Sequence, residues 1–304
     1  MKAGSLVIFT LASQSAVGAY CILAALQLGF QTADRGRVNF LERTTLAAIG
    51  LLVALSLVTS LFHLGTPRKA YRALSNLRSS WLSREIWSIT LFASLVLLQT
   101  TLACLWDSIQ IPDVVLFLTS LVGIVLVFSM SRAYMLRTIP AWNSPVTLLS
   151  FLATSFLLGG LFVLALLSVQ ASLVSAFNEF EYVHAVFEVL VFGMLTDIAL
   201  GLWRARLARR PREYGEIHLQ GYARLGRRIM HCCLLILSVA LAYWVLFMAA
   251  PGTNSAQAFW LLVAFGLALV AEMVNRFLFY RVGLGDFSRT TCSRTTTVPG
   301  MPMW

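Results

Sequence analysis

The chain has 304 residues, 59% of them hydrophobic and only 12% charged, with a mean hydropathy of +0.80 and a formal net charge of +10. A soluble globular protein of this length needs a far larger polar surface, so most of the chain must face lipid or other helices. The basic residues crowd into a few connections instead of covering a soluble face, which argues against nucleic acid as a partner.

Apolar runs of about 20 residues match the hydrocarbon thickness as helices, which satisfy their own backbone polar groups in lipid. The expected fold is an all-α integral membrane protein with eight transmembrane helices in a helical bundle. The first run, 5–30, is long, follows only Lys2 among charged residues and lacks a clear small-x-small cleavage site, so it reads as a retained helix. The second, 44–62, leads into "FHLGTPRKAYRALSNLRSSWLSREIW", a basic interruption over 62–87 that holds His63, Arg68, Lys69, Arg72, Arg78 and Arg84. Gly65 and Pro67 take the places of a C-cap glycine and a chain-breaking proline. Residues 68–78 read as a short interfacial helix. Ser83 is the expected N-cap of the third span, with Glu85 in its first turn, where the helix dipole favours an acid.

The later runs are 86–106, 114–132, 146–168, 182–203, 228–249 and 258–280. The sixth contains Glu188 and Asp197. At 100° per residue these fall on opposite helix faces, so one cavity cannot take both. In the eighth, Glu272 and Arg276 are spaced i, i+4 and are expected to pair structurally on one face. Residues 1–283 form one membrane domain and 284–304 a polar tail, and no convincing internal repeat is apparent.

With eight spans, the even-numbered connections and both termini share one side of the membrane. That side carries nineteen Lys/Arg: Lys2, five within 63–85, Arg132, Arg137, eight within 204–228, Arg281, Arg289 and Arg294. The other carries three, Arg35, Arg37 and Arg43. The positive-inside rule therefore puts both termini in the cytoplasm of a bacterial or archaeal cell, although an acidic partner docked on the basic side would produce the same bias.

The five cysteines show no C-x-x-C spacing, so a zinc or iron–sulfur site and a disulfide are not expected, and thiols packed between helices are. No haem is expected either. His184 opens the sixth span on the acidic side, far from His63 and His231, and His218 lies in a polar loop. A lone His63–His231 pairing is a thin basis for a cytochrome.

His63 and Glu85 close and open consecutive antiparallel spans, so they lie at one membrane depth on neighbouring helices. Helix capping and dipole effects account for both. An imidazole and a carboxylate at the lipid boundary also suit oxidation of a quinol, which arrives laterally from lipid and needs two proton acceptors as its electrons leave. No redox centre is evident in the chain, so the electron acceptor would be a partner.

The segment "FHLGTPRKAYRALSNLRSSWLSREI" resembles the signature of the DMSO reductase membrane anchor (DmsC-like) family, an H-L-G-[ST]-P-x-R-A-like element followed by L-S-x-E-I. "SMSRAYMLRTIPAWNSPVTLLSFLATSFLLGG" (129–160) is similar to that family's R-x-Y element, T-[IV]-P-x-W turn and Gly-rich helix, and "AEMVNRFLFY" (271–280) to its last-helix pattern. The resemblance implies an anchor without haem that binds and oxidises menaquinol, or another quinone, and passes electrons to a four-cluster ferredoxin-like iron–sulfur subunit. That subunit would feed a molybdopterin catalytic subunit. By the same resemblance His63 and Glu85 are the proton-accepting and quinone-binding residues, with Arg68, Arg132 and Tyr134 around them. Known members face this end to the periplasm, whereas the charge bias points to the cytoplasm. Glu188, Asp197 and the Arg-rich connection at 204–228 match no pattern of the family. A quinone-reducing anchor of a dehydrogenase is the first alternative reading. A secondary transporter using Glu188, Asp197 and Glu272 is the second.

Overall fold

The computed structural model describes residues 3–29, 35–63, 76–106, 111–137, 142–173, 180–207, 217–248 and 254–295. Each apolar run forms a helix. These are α1 (Ala3–Gly29), α2 (Arg35–His63), α3 (Trp81–Leu105), α4 (Asp113–Tyr134), α5 (Pro145–Leu173), α6 (Phe180–Leu207), α7 (Ile217–Tyr243) and α8 (Asn254–Thr295). All eight are long and apolar enough to cross a membrane. The expected all-α fold with eight spans therefore holds. α7 continues as one π-helical turn over Trp244–Met248, and α8 runs as helix well past the apolar segment that ends at Tyr280.

The start of α3 differs from expectation. Its N-cap is Ser80, whose hydroxyl accepts from the Ser83 amide at 3.3 Å. Ser83 is thus inside the first turn, and Glu85 lies deeper in α3 than a dipole-capping acid would. Before the cap, Arg84 holds the turn closed by donating to the Leu77 and Arg78 carbonyls, both at 2.9 Å. Gly65, Pro67 and most of the proposed interfacial helix lie outside the described residues.

Packing reveals an order that the sequence conceals. α1 touches α2 and α4, and α3 closes the ring between them; α5 touches α6 and α8, and α7 closes that ring. The four-helix arrangement of α1–α4 is thus repeated in α5–α8, with α4 against α5 and α1 against α8 across the seam. Because each half has an even number of helices, both enter from the same side, as in parallel repeats about the membrane normal. No repeat is visible in the residues, because lipid-facing and packing positions tolerate many apolar side chains.

The seam is built on α1 and α5. Of the α1 span 83% is buried and of the α5 span 67%, against no more than 44% for any other. The two helices cross at glycine: a Cβ on Gly18 would stand 1.8 Å from the Ser155 carbonyl oxygen, and one on Gly159 would stand 2.3 Å from the Ala19 nitrogen. Small residues at such crossings let backbones approach where lipid offers no hydrophobic driving force.

Cys21, Cys104, Cys232 and Cys233 are free thiols, but Cys104 and Cys233 are exposed on the helix surface and do not pack between helices as expected.

Candidate functional site

Glu85 is only 6% exposed and sits on the inner face of α3, just inside the basic end of the bundle. Its carboxyl lies within electrostatic reach of the Tyr134 and Tyr280 hydroxyls, at the ends of the α4 and α8 spans. Tyr280 donates to the Tyr134 hydroxyl at 3.2 Å. An aromatic box fixes this pair: the Tyr134 ring meets Trp142, Phe151, Phe279 and Tyr280 at centroid distances of 5.5 to 5.8 Å. Trp142 stacks on Phe279 at 5.2 Å and donates its indole N–H to the Phe279 carbonyl at 2.9 Å. Trp142, the last residue of the T-[IV]-P-x-W element, thereby pins the start of α5 to α8.

On the neighbouring surface, Arg84 and Arg132 both lie over the Trp81 ring, at 4.1 and 4.9 Å. Arg132 is half-buried. Its Nε has no hydrogen-bond partner among the described residues, and its Nη1 reaches only the Met135 sulfur at 3.9 Å. This is a cation held by a ring and left with donor capacity.

The expected site residues thus gather in part. Glu85 and Tyr134 lie close together at the basic end of α3 and α4, and Arg132 lies at the same end against the Trp81 ring. His63 closes α2, which packs on α3, so its backbone is at the right boundary, while its side chain and all of Arg68 lie outside the described residues.

Sequence reasoning missed a second polar cluster. Asp197 of α6 (1% exposed), His231 of α7 (5%) and Glu272 of α8 (0%) converge inside the second half. His231 Nε2 is 3.4 Å from both Asp197 Oδ2 and Glu272 Oε1. Ser150 donates to Asp197 Oδ1 at 3.4 Å, and Thr154 and Asn275 donate to Glu272 Oε2 at 3.1 and 3.4 Å. Glu272 and Arg276 do not form the direct ion pair that their spacing suggested. Instead they share the Thr154 hydroxyl, and Arg276 also donates to Gln14 of α1 at 2.7 Å and packs over Phe151 at 3.7 Å. The available signal was depth: each of the three residues stands within about two turns of the basic end of its span. Glu188 is exposed, on the face away from buried Asp197, as the helical spacing required. His184 packs on Phe247 at 4.6 Å.

These features define a polytopic membrane protein whose buried ionisable groups collect at one boundary. The DMSO reductase anchor subunit (DmsC) family model matches residues 1–284. The chain belongs to that family. It is 28% identical over 290 residues to an anaerobic dimethyl sulfoxide reductase chain from Escherichia coli, covering 90% of this chain and 93% of that one. Over 158 residues it is 32% identical to an anaerobic dimethyl sulfoxide reductase chain from Haemophilus influenzae, a match that spans 51% of this chain and about half (55%) of that relative. A shorter match, 46% over 54 residues, covers 16% of this chain and 17% of a sulfite dehydrogenase subunit from Allochromatium vinosum.

Proposed function

We propose that this chain anchors a molybdopterin oxidoreductase complex in the cytoplasmic membrane and oxidises quinol there. Electrons pass to an iron–sulfur subunit docked on the basic face, and the terminal substrate is reduced on a further partner chain. The observation that carries the reading is buried Glu85 at the basic boundary, beside the Tyr134–Tyr280 pair and one helix from the His63 end of α2, in a chain of the anchor family. A quinol entering from lipid would give one hydroxyl proton to the His63 imidazole and the other to Glu85 as two electrons leave. Arg132, with an uncommitted donor, would hold a quinol oxygen, and Arg68 would contribute from the same connection. Menaquinol fits as the donor in anaerobic respiration. Both termini lie on the side of the basic connections, assigned to the cytoplasm by charge.

The test uses the purified complex. His63→Ala should lower quinol-linked turnover by about a hundredfold, while turnover with an artificial donor given directly to the catalytic subunit stays unchanged. Equal quinol-linked rates in variant and wild type would remove His63 from the mechanism.

The segment shared with a sulfite dehydrogenase subunit favours one second reading, the same site run in reverse to reduce quinone. The substrate of the catalytic subunit encoded alongside this chain separates the two.

A further inference from the structure

Trp81 enters none of the chemistry above, although it stands where two helices and two cations converge. It is the first residue of α3, half-buried, and its ring meets Phe128 of α4 edge to face at 5.7 Å. A tryptophan at this depth is ordinarily a belt residue with its ring among the headgroups. Here the ring carries two guanidinium groups, Arg84 of α3 at 4.1 Å and Arg132 of α4 at 4.9 Å.

The two arginines are not equivalent. Arg84 spends its Nε and Nη2 on the Leu77 and Arg78 carbonyls, so its guanidinium is fixed to the turn before the helix and braces the ring. Arg132 has no such anchor. Its Nη1 reaches only the Met135 sulfur, a weak acceptor, and its Nε donates to nothing among the described residues. No carboxylate of the described residues lies within ion-pair distance of it. The helix dipole favours a cation in the last turn of α4, but that field fixes no side-chain position. The Trp81 face is therefore what holds the Arg132 guanidinium in place, by a cation–π contact that partial burial strengthens.

The register gives this tether a consequence. Trp81 precedes Glu85 by four residues, so the two side chains share one face of α3, with Trp81 one turn nearer the basic boundary. Phe128 precedes Arg132 by four residues on α4, and the one ring contacts both. The reach from the Arg132 donors on α4 to the Glu85 carboxyl on α3 is thus set through a single side chain. Exposed Leu82 and Trp87 open the same end of α3 to lipid, the direction from which a quinol arrives.

We propose that Trp81, braced by Arg84, is a positioning residue for the quinol, a role that rests on the quinol reading and deepens it. It presents the Arg132 guanidinium at a set distance from Glu85, so that the quinol oxygen held by Arg132 places the ring within reach of its proton acceptors. Trp81 neither accepts a proton nor carries an electron; it acts through Arg132.

The test compares wild type, Trp81→Leu, Trp81→Phe and Arg132→Gln in the purified complex, with a water-soluble quinol analogue as donor. Trp81→Leu removes the π face and should raise KM for the quinol by about tenfold, with artificial-donor turnover unmoved. Trp81→Phe keeps a smaller face and should restore most of the affinity. Should the leucine variant fail to assemble, the smaller rise in Trp81→Phe carries the test. In an Arg132→Gln background neither change should raise KM further. An undiminished extra effect there, or a wild-type KM in the assembled Trp81 variants, overturns the proposal. So does a fall in artificial-donor turnover equal to that with quinol, which would make Trp81 a packing residue. A quinol-free arm reads the tether itself: after treatment with an arginine-selective dicarbonyl, peptide mapping should show Arg132 modified severalfold faster in Trp81→Leu than in wild type, and equal rates overturn the tether. If His63→Ala abolishes quinol turnover while the Trp81 variants keep the wild-type KM, the quinol reading stands and the role of Trp81 falls. If wild type oxidises no quinol, the positioning role falls with the functional reading, while the mapping still decides the tether.

Discussion

Tyr280 at the end of the α8 span donates its hydroxyl to Tyr134 at the end of the α4 span, 3.2 Å away, so the two four-helix halves are tied by a matched pair of phenols. Around it, Trp142, Phe151 and Phe279 leave little room for either ring to turn. Glu85 of the first half and Arg276 of the second both lie within electrostatic reach of this pair. The hydroxyls are therefore where the two ionisable regions meet.

Tyr280→Phe and Tyr134→Phe should each cost about 1 kcal/mol of stability. The double variant should cost less than the sum of the two, because both single changes remove the same bond. Thermal unfolding of the detergent-solubilised complex measures the cycle; strict additivity would show that the bond contributes nothing.

Trp142→Phe keeps the stack on Phe279 but withdraws the indole donor from a buried carbonyl. A destabilisation of about 1 kcal/mol is expected, because the Phe279 carbonyl lies within α8 and loses only its indole donor; it is read as a lower melting temperature. The loss should exceed that of Trp106→Phe, since Trp106 is exposed at the other end of the bundle.

Glu85→Gln retains shape and removes a proton acceptor. Quinol-linked turnover should fall by about tenfold or more and lose one ionisation from its pH dependence. Turnover with a donor that bypasses the membrane subunit should be unaffected. An unchanged pH profile would assign Glu85 to packing alone.

Gly18→Ala places a methyl group where the Ser155 carbonyl already stands. The helices must separate, at about 1–3 kcal/mol or more, and the yield of assembled complex should drop. Gly4→Ala, in open space on the same helix, is the control and should assemble normally.

The spans are legible in the sequence because length and hydropathy alone decide them, and the helix ends are less so. Ser83 resembles a cap because it precedes Glu85, but Ser80 caps, since the Arg84 clamp on Leu77 and Arg78 closes the turn one step earlier. Glu85, Arg132 and Tyr134 are readable as site residues through motif resemblance. Asp197, His231 and Glu272 each stand out in the sequence but stay unconnected there, because the α5–α8 ring that joins them is set by packing, which has no period in the residues. The i, i+4 spacing of Glu272 and Arg276 misleads for the same reason: Thr154, 118 residues away from Glu272, takes the place of the direct pair.

The glycine crossing of α1 and α5 also has a consequence for biogenesis. Synthesis delivers α1 well before α5, the helix that it crosses most closely. Until α5 is inserted, the groove that holds Ser13, Gln14 and Ser15 of α1 must face lipid, a translocon or a chaperone, since these buried polar side chains belong to the finished seam. The first four helices are therefore an incomplete body. A polypeptide halted after α4 should be a substrate for membrane quality control, and the committing step of folding comes when α5 meets a helix that has waited for it.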